Sequence, residues 1–429
     1  MDENNIKRVI LKYRGLIPEK ILERDLEVYE TKFDKANVIV GPRKAGKTFY
    51  LYLLIKKKSA DKWVLINFED NLLSGLDANG LNKIVDYSKE LLSTEKLSFF
   101  FDEIQVIDGW EKFVISLLNE HYPVYITGSN SKLLSREIAT SLRGKSLSYL
   151  LLPLSFSEYL RFNGIKLEKN FEYGNQAFRI KKYFREYLDY GGFPEMVLAD
   201  SMPLKNKLIN SYFDSILYRD LVDRLKLKNI KLVDIVIKYA LNVFGRTFSI
   251  SALEKYLKSN KIPYSLEDLY IILKSLQDVF MVGYVKEYSK SFKKSEISKA
   301  KVYLFDMGYV HFLSSEPNDY GRILENSVFI ELFRRSADTE NKSIFYHVSE
   351  KNQECDFIVV KKGNIIEAIQ VAYVINPENR DREINGLVAA MEFFNLNNGL
   401  ILTMDSEDEI KTKGKKITIM PVWKWMLKN

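Results

Sequence analysis

The chain has 429 residues, 46% of them hydrophobic, and a formal net charge of +7; single cores rarely outgrow roughly 250–300 residues, so two or three domains are expected. Cys355 is the only cysteine, which excludes an intramolecular disulfide and a cysteine-built zinc site. No apolar run approaches the ~20 residues that cross a bilayer, and the start Met1-Asp2-Glu3-Asn4-Asn5 is too polar for a secretion signal, so a cytoplasmic protein without a membrane partner is expected.

Residues 1–30 read as polar helix. Asn37-Val38-Ile39-Val40 then reads as a buried strand, and Thr48 to Ile55 as a helix. Between them lies Gly41-Pro42-Arg43-Lys44-Ala45-Gly46-Lys47-Thr48, two glycines with four residues between them and then Lys-Thr. This is the pattern of a phosphate-binding loop. Such a loop wraps backbone N–H groups around phosphates, which requires conformations that a Cβ blocks. The following helix adds the partial positive charge of its N-terminus, with Phe49 in its first turn. Lys47 is expected to reach the β/γ-phosphates and Thr48 to ligate Mg²⁺.

Leu97 to Phe101 is an apolar run that ends in Asp102-Glu103, as a buried parallel strand would. Asp102 stands where a carboxylate supporting Mg²⁺ belongs, and Glu103 where a base could polarise the attacking water. The run Val124-Tyr125-Ile126 ends in Thr127-Gly128-Ser129-Asn130, where Asn130 or Ser129 could sense the γ-phosphate. With 63–68 and 147–152 the strand candidates number five, and their alternation with helices predicts a doubly wound, mainly parallel sheet.

From Pro153 the pattern turns helical, with Ser155 or Ser157 as N-cap and a break at Tyr190-Gly191-Gly192-Phe193-Pro194 that could serve as a hinge. Helical runs near 231–243, 249–259 and 265–278, followed by the strand-like Phe280 to Val285, make a winged-helix arrangement. Such modules serve either DNA or protein contact. A lysine-rich stretch follows (Lys286, Lys290, Lys293, Lys294, Lys299, Lys301), interleaved with Tyr284, Tyr288 and Phe292, which favours nucleic acid. The last third is α/β again: a helix at 322–335, strands at 344–348, 355–361 and 364–373, a helix at 380–394, strands at 399–403 and 415–422, and a short terminal helix. The expected domains are 1–155, 156–229, 230–300 and 301–429.

The phosphate loop in this form, Asn67-Phe68-Glu69-Asp70, the run Thr127 to Leu134, Leu142-Arg143-Gly144-Lys145, Pro153-Leu154-Ser155-Phe156 and Gly191-Gly192-Phe193-Pro194 together resemble the AAA-type P-loop ATPases of archaea and bacteria that carry a C-terminal domain of uncharacterised function. The resemblance covers nearly the whole chain. It implies that ATP and Mg²⁺ are bound and ATP hydrolysed, with Lys47, Thr48, Asp102 and Glu103 in the roles given above and residues 41–49 cradling the nucleotide. It also implies an arginine supplied in trans within a homo-oligomer, for which Arg143 and Arg136 are candidates; Arg219 could act instead from the same chain. The C-terminal part resembles the restriction-endonuclease-like fold, whose motif is Glu…Asp…Glu/Gln-x-Lys. Glu325, Asp356 and Gln370 match it. Ala372 stands where the lysine should be, so a nuclease site without cutting activity is expected unless Lys361, Lys362 or Arg380 takes over. DNA is the expected partner.

Overall fold

Five short apolar segments of the first hundred and fifty residues form one sheet: β1 (Ala36–Val40), β2 (Trp63–Asn67), β3 (Ser98–Asp102), β4 (Val124–Gly128) and β5 (Ser146–Leu150). Their order is β2-β3-β4-β1-β5, and every pairing is parallel. Parallel strands need crossovers, which here include α2 (Lys47–Lys58), α3 (Ala78–Leu92) and α4 (Trp110–Asn119). β1 and β4 are buried along their whole length, which is why they read as unbroken hydrophobic runs instead of alternating ones. The computed structural model describes residues 3–29, 33–58, 62–129, 142–223, 229–289, 299–313, 319–337 and 342–428. The chain divides into two compact units, Met1–Leu152 and Pro153–Asn429.

The expected helix over residues 1–30 stops early. Helix α1 covers Glu3–Arg14; Gly15 and Pro18 follow, and neither favours continuation. Its buried face is Ile6, Val9, Ile10 and Tyr13, the spacing of one helical stripe. Lys12 and Tyr13 bond Asp70 at 2.6 and 3.1 Å. The irregular segment that follows is fastened along α2: Tyr50 donates to the Leu26 carbonyl at 2.7 Å, and Lys58 to that of Val28 at 3.1 Å.

The second unit opens with the helix Phe156–Phe162, capped by a reciprocal pair in which Ser155 accepts from the Glu158 amide and Glu158 from the Ser155 amide. The N-cap is therefore Ser155. Helices Gly174–Tyr190, Pro194–Leu198, Met202–Asp214, Ile230–Asn242, Ile250–Ser259 and Leu266–Asp278 follow. The break at 190–194, expected as a hinge, is a largely buried joint. Gly191 has φ 76°, and Asp306 accepts from the amides of Gly192 and Gly308, both at 2.8 Å.

Nine strands make one further sheet: β6 (Thr247–Phe248), β7 (Val282–Glu287), β8 (Ala300–Leu304), β9 (Lys342–Val348), β10 (Glu354–Lys361), β11 (Asn364–Ala372), β12 (Asn398–Thr403), β13 (Asp408–Thr412) and β14 (Lys415–Pro421), in the order β13-β14-β12-β11-β10-β9-β7-β8-β6. Three helices and a hairpin are present at the expected place. The hairpin is not free-standing, because β7 pairs with β8 on one side and runs parallel to β9 on the other. The expected boundary at 300/301 falls inside β8, and both neighbours in this region belong to one sheet. Helices Tyr320–Ala337 and Arg380–Phe393 cover it, the latter packing Leu387, Val388 and Met391 against Ile358, Ile401 and Ile417. Among the described residues no helix is long and apolar enough to cross a membrane.

Candidate active site

The loop between β1 and α2 is shaped by two backbone conformations: Lys44 has φ 66° and Gly46 φ 92°. Gly41 has a different reason to lack a side chain, since a Cβ there would lie 1.9 Å from the Leu151 carbonyl oxygen. Ala45 is held by a bond from its amide to the Pro42 carbonyl at 3.3 Å. Buried Lys47 donates to the carbonyls of Gly41 and Pro42 at 3.0 and 2.9 Å, and lies 3.9 Å from a Glu103 oxygen. The loop, the lysine and the acidic end of β3 thus meet at the carboxyl ends of the parallel strands, where open α/β sheets bind ligands.

Asp102 is the hub. Its Oδ2 accepts from the Thr48 hydroxyl at 2.7 Å and from the Asn67 amide at 3.1 Å, and its Oδ1 from the Thr127 hydroxyl. The carboxylate is 2% exposed. Burial, followed by the charge of Glu103, pushes its pKa upward, while Thr127, Thr48 and Lys47 act the other way. Hydroxyl and carboxylate oxygens in contact are the donor types that suit a hard divalent cation such as Mg²⁺. Glu103 has φ 55° and accepts from the Gln105 amide and, at 3.2 Å, from the Ser129 hydroxyl.

The structure therefore gathers Gly41 to Thr48, Asp102, Glu103 and Ser129. Arg43 is 3.6 Å from Glu69, and Phe49 is exposed on α2 with its ring edge against Tyr52. Asn130 and Arg136 lie outside the described residues. Arg143 is exposed in the turn before β5, beside Lys145, whose carbonyl accepts from the Ala36 amide. That is the amino end of β1, across the sheet from the loop, so Arg143 is not part of its own chain's site. Arg219 is exposed on a helix of the second unit.

Sequence reasoning missed Asn67, Thr127 and Gln105 as ligands of the two acids, and it missed Arg24. The buried Arg24 guanidinium donates to the carbonyls of Ala45 at 2.8 Å and Leu152 at 2.6 Å, bracing the loop from behind. Polar residues at the ends of apolar strands were a signal for Asn67 and Thr127. Nothing local marks Arg24, because its partners are backbone atoms distant in sequence.

The second unit brings together Glu325, Asp356 and Gln370, as their motif implied, on the wall of a cavity of about 660 Å³ that also meets Arg322, Arg382 and Glu383. Lys361, Lys362 and Arg380 are exposed and none lines it. The cation beside these acids is Lys301, from β8, 2.9 Å from Glu325 and 3.1 Å from Asp356. Lys301, the last of the lysine-rich stretch, is 4% exposed. Burial, with Asp356 next, pushes Glu325 up to about 7. Burial works against the Lys301 charge, yet Glu325 and Asp356 hold its pKa well above the usual lysine range.

A model described as "AAA domain" matches residues 33–160, and two domains of unknown function match 181–320 (DUF8612) and 320–425 (DUF4143). An uncharacterized protein of Methanocaldococcus jannaschii is 37% identical over 414 residues, 95% of this chain and 91% of its own. An uncharacterized protein of Haemophilus influenzae is 32% identical over 369 residues, 84% of this chain and 87% of its own. Among solved structures, a Walker-type ATPase of Pyrococcus abyssi has a TM-score of 0.43 at 13% identity, covering 73% of this chain and 95% of that one. Drosophila ORC bound to AT-rich DNA and Cdc6 has a TM-score of 0.17 at 10% identity, covering 70% and 88%. Scores this low do not establish a common fold.

Proposed function

Because the chain belongs to the family of AAA-domain P-loop proteins that includes these M. jannaschii and H. influenzae relatives, we propose that it binds ATP with Mg²⁺ and hydrolyses it. The observation that carries this is the convergence of Lys47, Thr48, Asp102 and Glu103 at one end of the parallel sheet. Phosphoryl transfer needs positioning and charge neutralisation more than covalent chemistry. The amides of the 41–49 loop and the α2 N-terminus orient the phosphates, and Lys47 offsets their charge. Thr48 and Asp102 would hold Mg²⁺, which supplies charge neutralisation at the phosphate oxygens. Glu103 takes the proton of the attacking water, its carboxylate fixed by Gln105 and Ser129. Arg143 could contribute only from a second copy of the chain. Glu103→Gln is expected to keep ATP binding and lose hydrolysis; equal turnover by both proteins would remove Glu103 from the mechanism.

The second unit would couple nucleotide state to DNA. Supporting this, the helices of 230–278 expose Lys231, Lys255, Lys258 and Lys274 beside Tyr256 and Tyr270, the mixture that suits a phosphate backbone with stacked bases. The same exposed aromatics, with Leu266 at 49%, favour a protein partner as the second reading. Gel shifts with duplex and single-stranded DNA at ~50 and ~200 mM salt separate them, because phosphate-dominated binding weakens steeply with salt. Absence of binding at low salt leaves the protein partner. The nuclease-like region would hold DNA without cutting it, because the lysine beside its acids, Lys301, is locked between Glu325 and Asp356.

A further inference from the structure

Three carboxylates of the second unit point at one spot, and the spot is already filled. Lys301 Nζ lies 2.7 Å from Glu354, 2.9 Å from Glu325 and 3.1 Å from Asp356. The lysine cannot easily swing away. It sits on β8, paired across from Val285 on β7 and Thr247 on β6, and its side chain is 5% exposed. It engages Glu325 Oε1 and Asp356 Oδ1, so its ammonium stands between the two acids that a shared metal would need. Mg²⁺ would need them at ~2.1 Å in a near-octahedral shell, which an ammonium between them does not permit.

Several of the neighbouring polar groups are committed elsewhere. Asp356 Oδ2 accepts from the Val371 amide at 2.9 Å, and Tyr303 donates to the same Glu325 Oε1 that Lys301 engages. Gln370 spends its carbonyl on the Asp356 amide at 3.3 Å and its amide on Glu383 at 2.8 Å. Glu383 in turn is clamped by Arg382. Among the described residues no group of three or more His, Cys, Asp or Glu is arranged to hold a metal ion. The residues present thus do not fit the divalent cation that a restriction-endonuclease-like site would use.

We propose that Lys301 is the resident cation of this cavity, an ammonium standing in the position of a metal, so that the cavity accepts no divalent cation. The inference deepens the reading of the second unit as holding nucleic acid without cutting it, and it rests on that reading. It also accounts for how two buried acids, Glu325 and Asp356, are tolerated side by side. Removing only the ammonium would leave their charge uncompensated, a costly state that a divalent cation could relieve.

The test is a Mn²⁺ titration of the full chain without nucleotide, followed by electron paramagnetic resonance of free Mn²⁺. Wild type and Asp356→Asn are expected to bind Mn²⁺ alike. Lys301→Met is expected to gain one ion at least tenfold more tightly than any bound by wild type, and Lys301→Met/Asp356→Asn to lose it. Wild-type binding that disappears in Asp356→Asn overturns the proposal, as does a folded Lys301→Met that gains none. If Lys301→Met does not fold, Lys301→Gln removes the charge, keeps a polar group in the pocket and leaves both acids in place. Mn²⁺ should then raise the melting temperature of that variant and not of wild type; no difference between them overturns the proposal. Plasmid incubation with Mn²⁺ separates the two failures. Cleavage lost in Asp356→Asn would defeat the non-cutting reading itself, whereas Mn²⁺ binding without cleavage would defeat only the resident cation.

Discussion

Arg24 gives the sharpest quantitative test of how the nucleotide loop is held. Its guanidinium makes two bonds to backbone carbonyls, Ala45 at 2.8 Å inside the loop and Leu152 at 2.6 Å beyond β5. A hydrogen bond from a charged donor contributes about 1.5–3 kcal/mol, and a buried carbonyl left without a partner costs about 1–3 kcal/mol. Against that, Arg24→Met recovers the cost of desolvating a buried cation. The net expectation is a loss of about 2–4 kcal/mol in urea unfolding. Part of the loss should appear as weaker nucleotide binding, because Ala45 is freed to move; each ~1.4 kcal/mol so diverted is tenfold in affinity. Arg24→Lys keeps the charge but cannot fork to both carbonyls, so it should fall between the two. The assays are urea denaturation and titration with a fluorescent ATP analogue. A change below ~0.5 kcal/mol, the range of an ordinary surface substitution, together with unaltered nucleotide affinity would refute the idea that Arg24 braces the loop.

Gly191→Ala should destabilise the second unit by about 2–4 kcal/mol, since its Cβ would stand 1.8 Å from Asp306 Oδ1 at a φ of 76°; an alanine variant that unfolds at the wild-type urea concentration would contradict the rigid joint. Asp306 itself, with its pKa pushed up to about 7 by burial, predicts a pH dependence. The folded state keeps that proton to about pH 7 and the unfolded chain releases it near 3.8, so the Asp306 contribution to stability should be greatest in acid and fall as pH rises through this window, by roughly 1.4 kcal/mol per unit, then level off. Asp306→Asn should lack that component of the slope, and parallel wild-type and variant curves would exclude Asp306 as its source.

The nucleotide loop was legible because its chemistry is local. Gly41 to Thr48 must be contiguous to wrap a phosphate, and the apolar runs on either side leave a strand and a helix as the natural reading. Strands β1 to β4 were equally plain, since burial makes each mostly an apolar run, whereas β5 lies at the sheet edge, is only partly buried and alternates serine with apolar residues. Legibility ended where partners are distant. Lys301 looks like one more lysine in a basic stretch, and only the pairing of β8 with β7 and β6 turns it inward toward Glu325 and Asp356. β8 was hidden for the same reason: Ala300-Lys301-Val302 breaks the apolar pattern with a charge whose compensation comes from other elements. The strand β13, Asp408–Thr412, carries two acids and a lysine and is largely exposed, so its existence depends on the ladder to β14 and not on its own composition. Gly191-Gly192 read as a flexible turn because glycine permits motion; that Asp306 pins it is invisible until the chain folds back.

The nine-stranded sheet has a consequence for how this protein can be taken apart. Two sequence-defined regions meet at residue 320, an inviting place to cut. Yet β7 lies to one side of that cut and β9 to the other, and they are joined at Lys286–Phe345 and Glu287–Tyr346. Severing the chain there would bare a strand edge on each fragment, with unpaired N–H and C=O groups ready to recruit any other strand. Each piece alone should therefore aggregate, while the two expressed together could find each other through that same seam. The seam makes the two regions co-dependent, so that one is not expected to be exchanged or lost without the other.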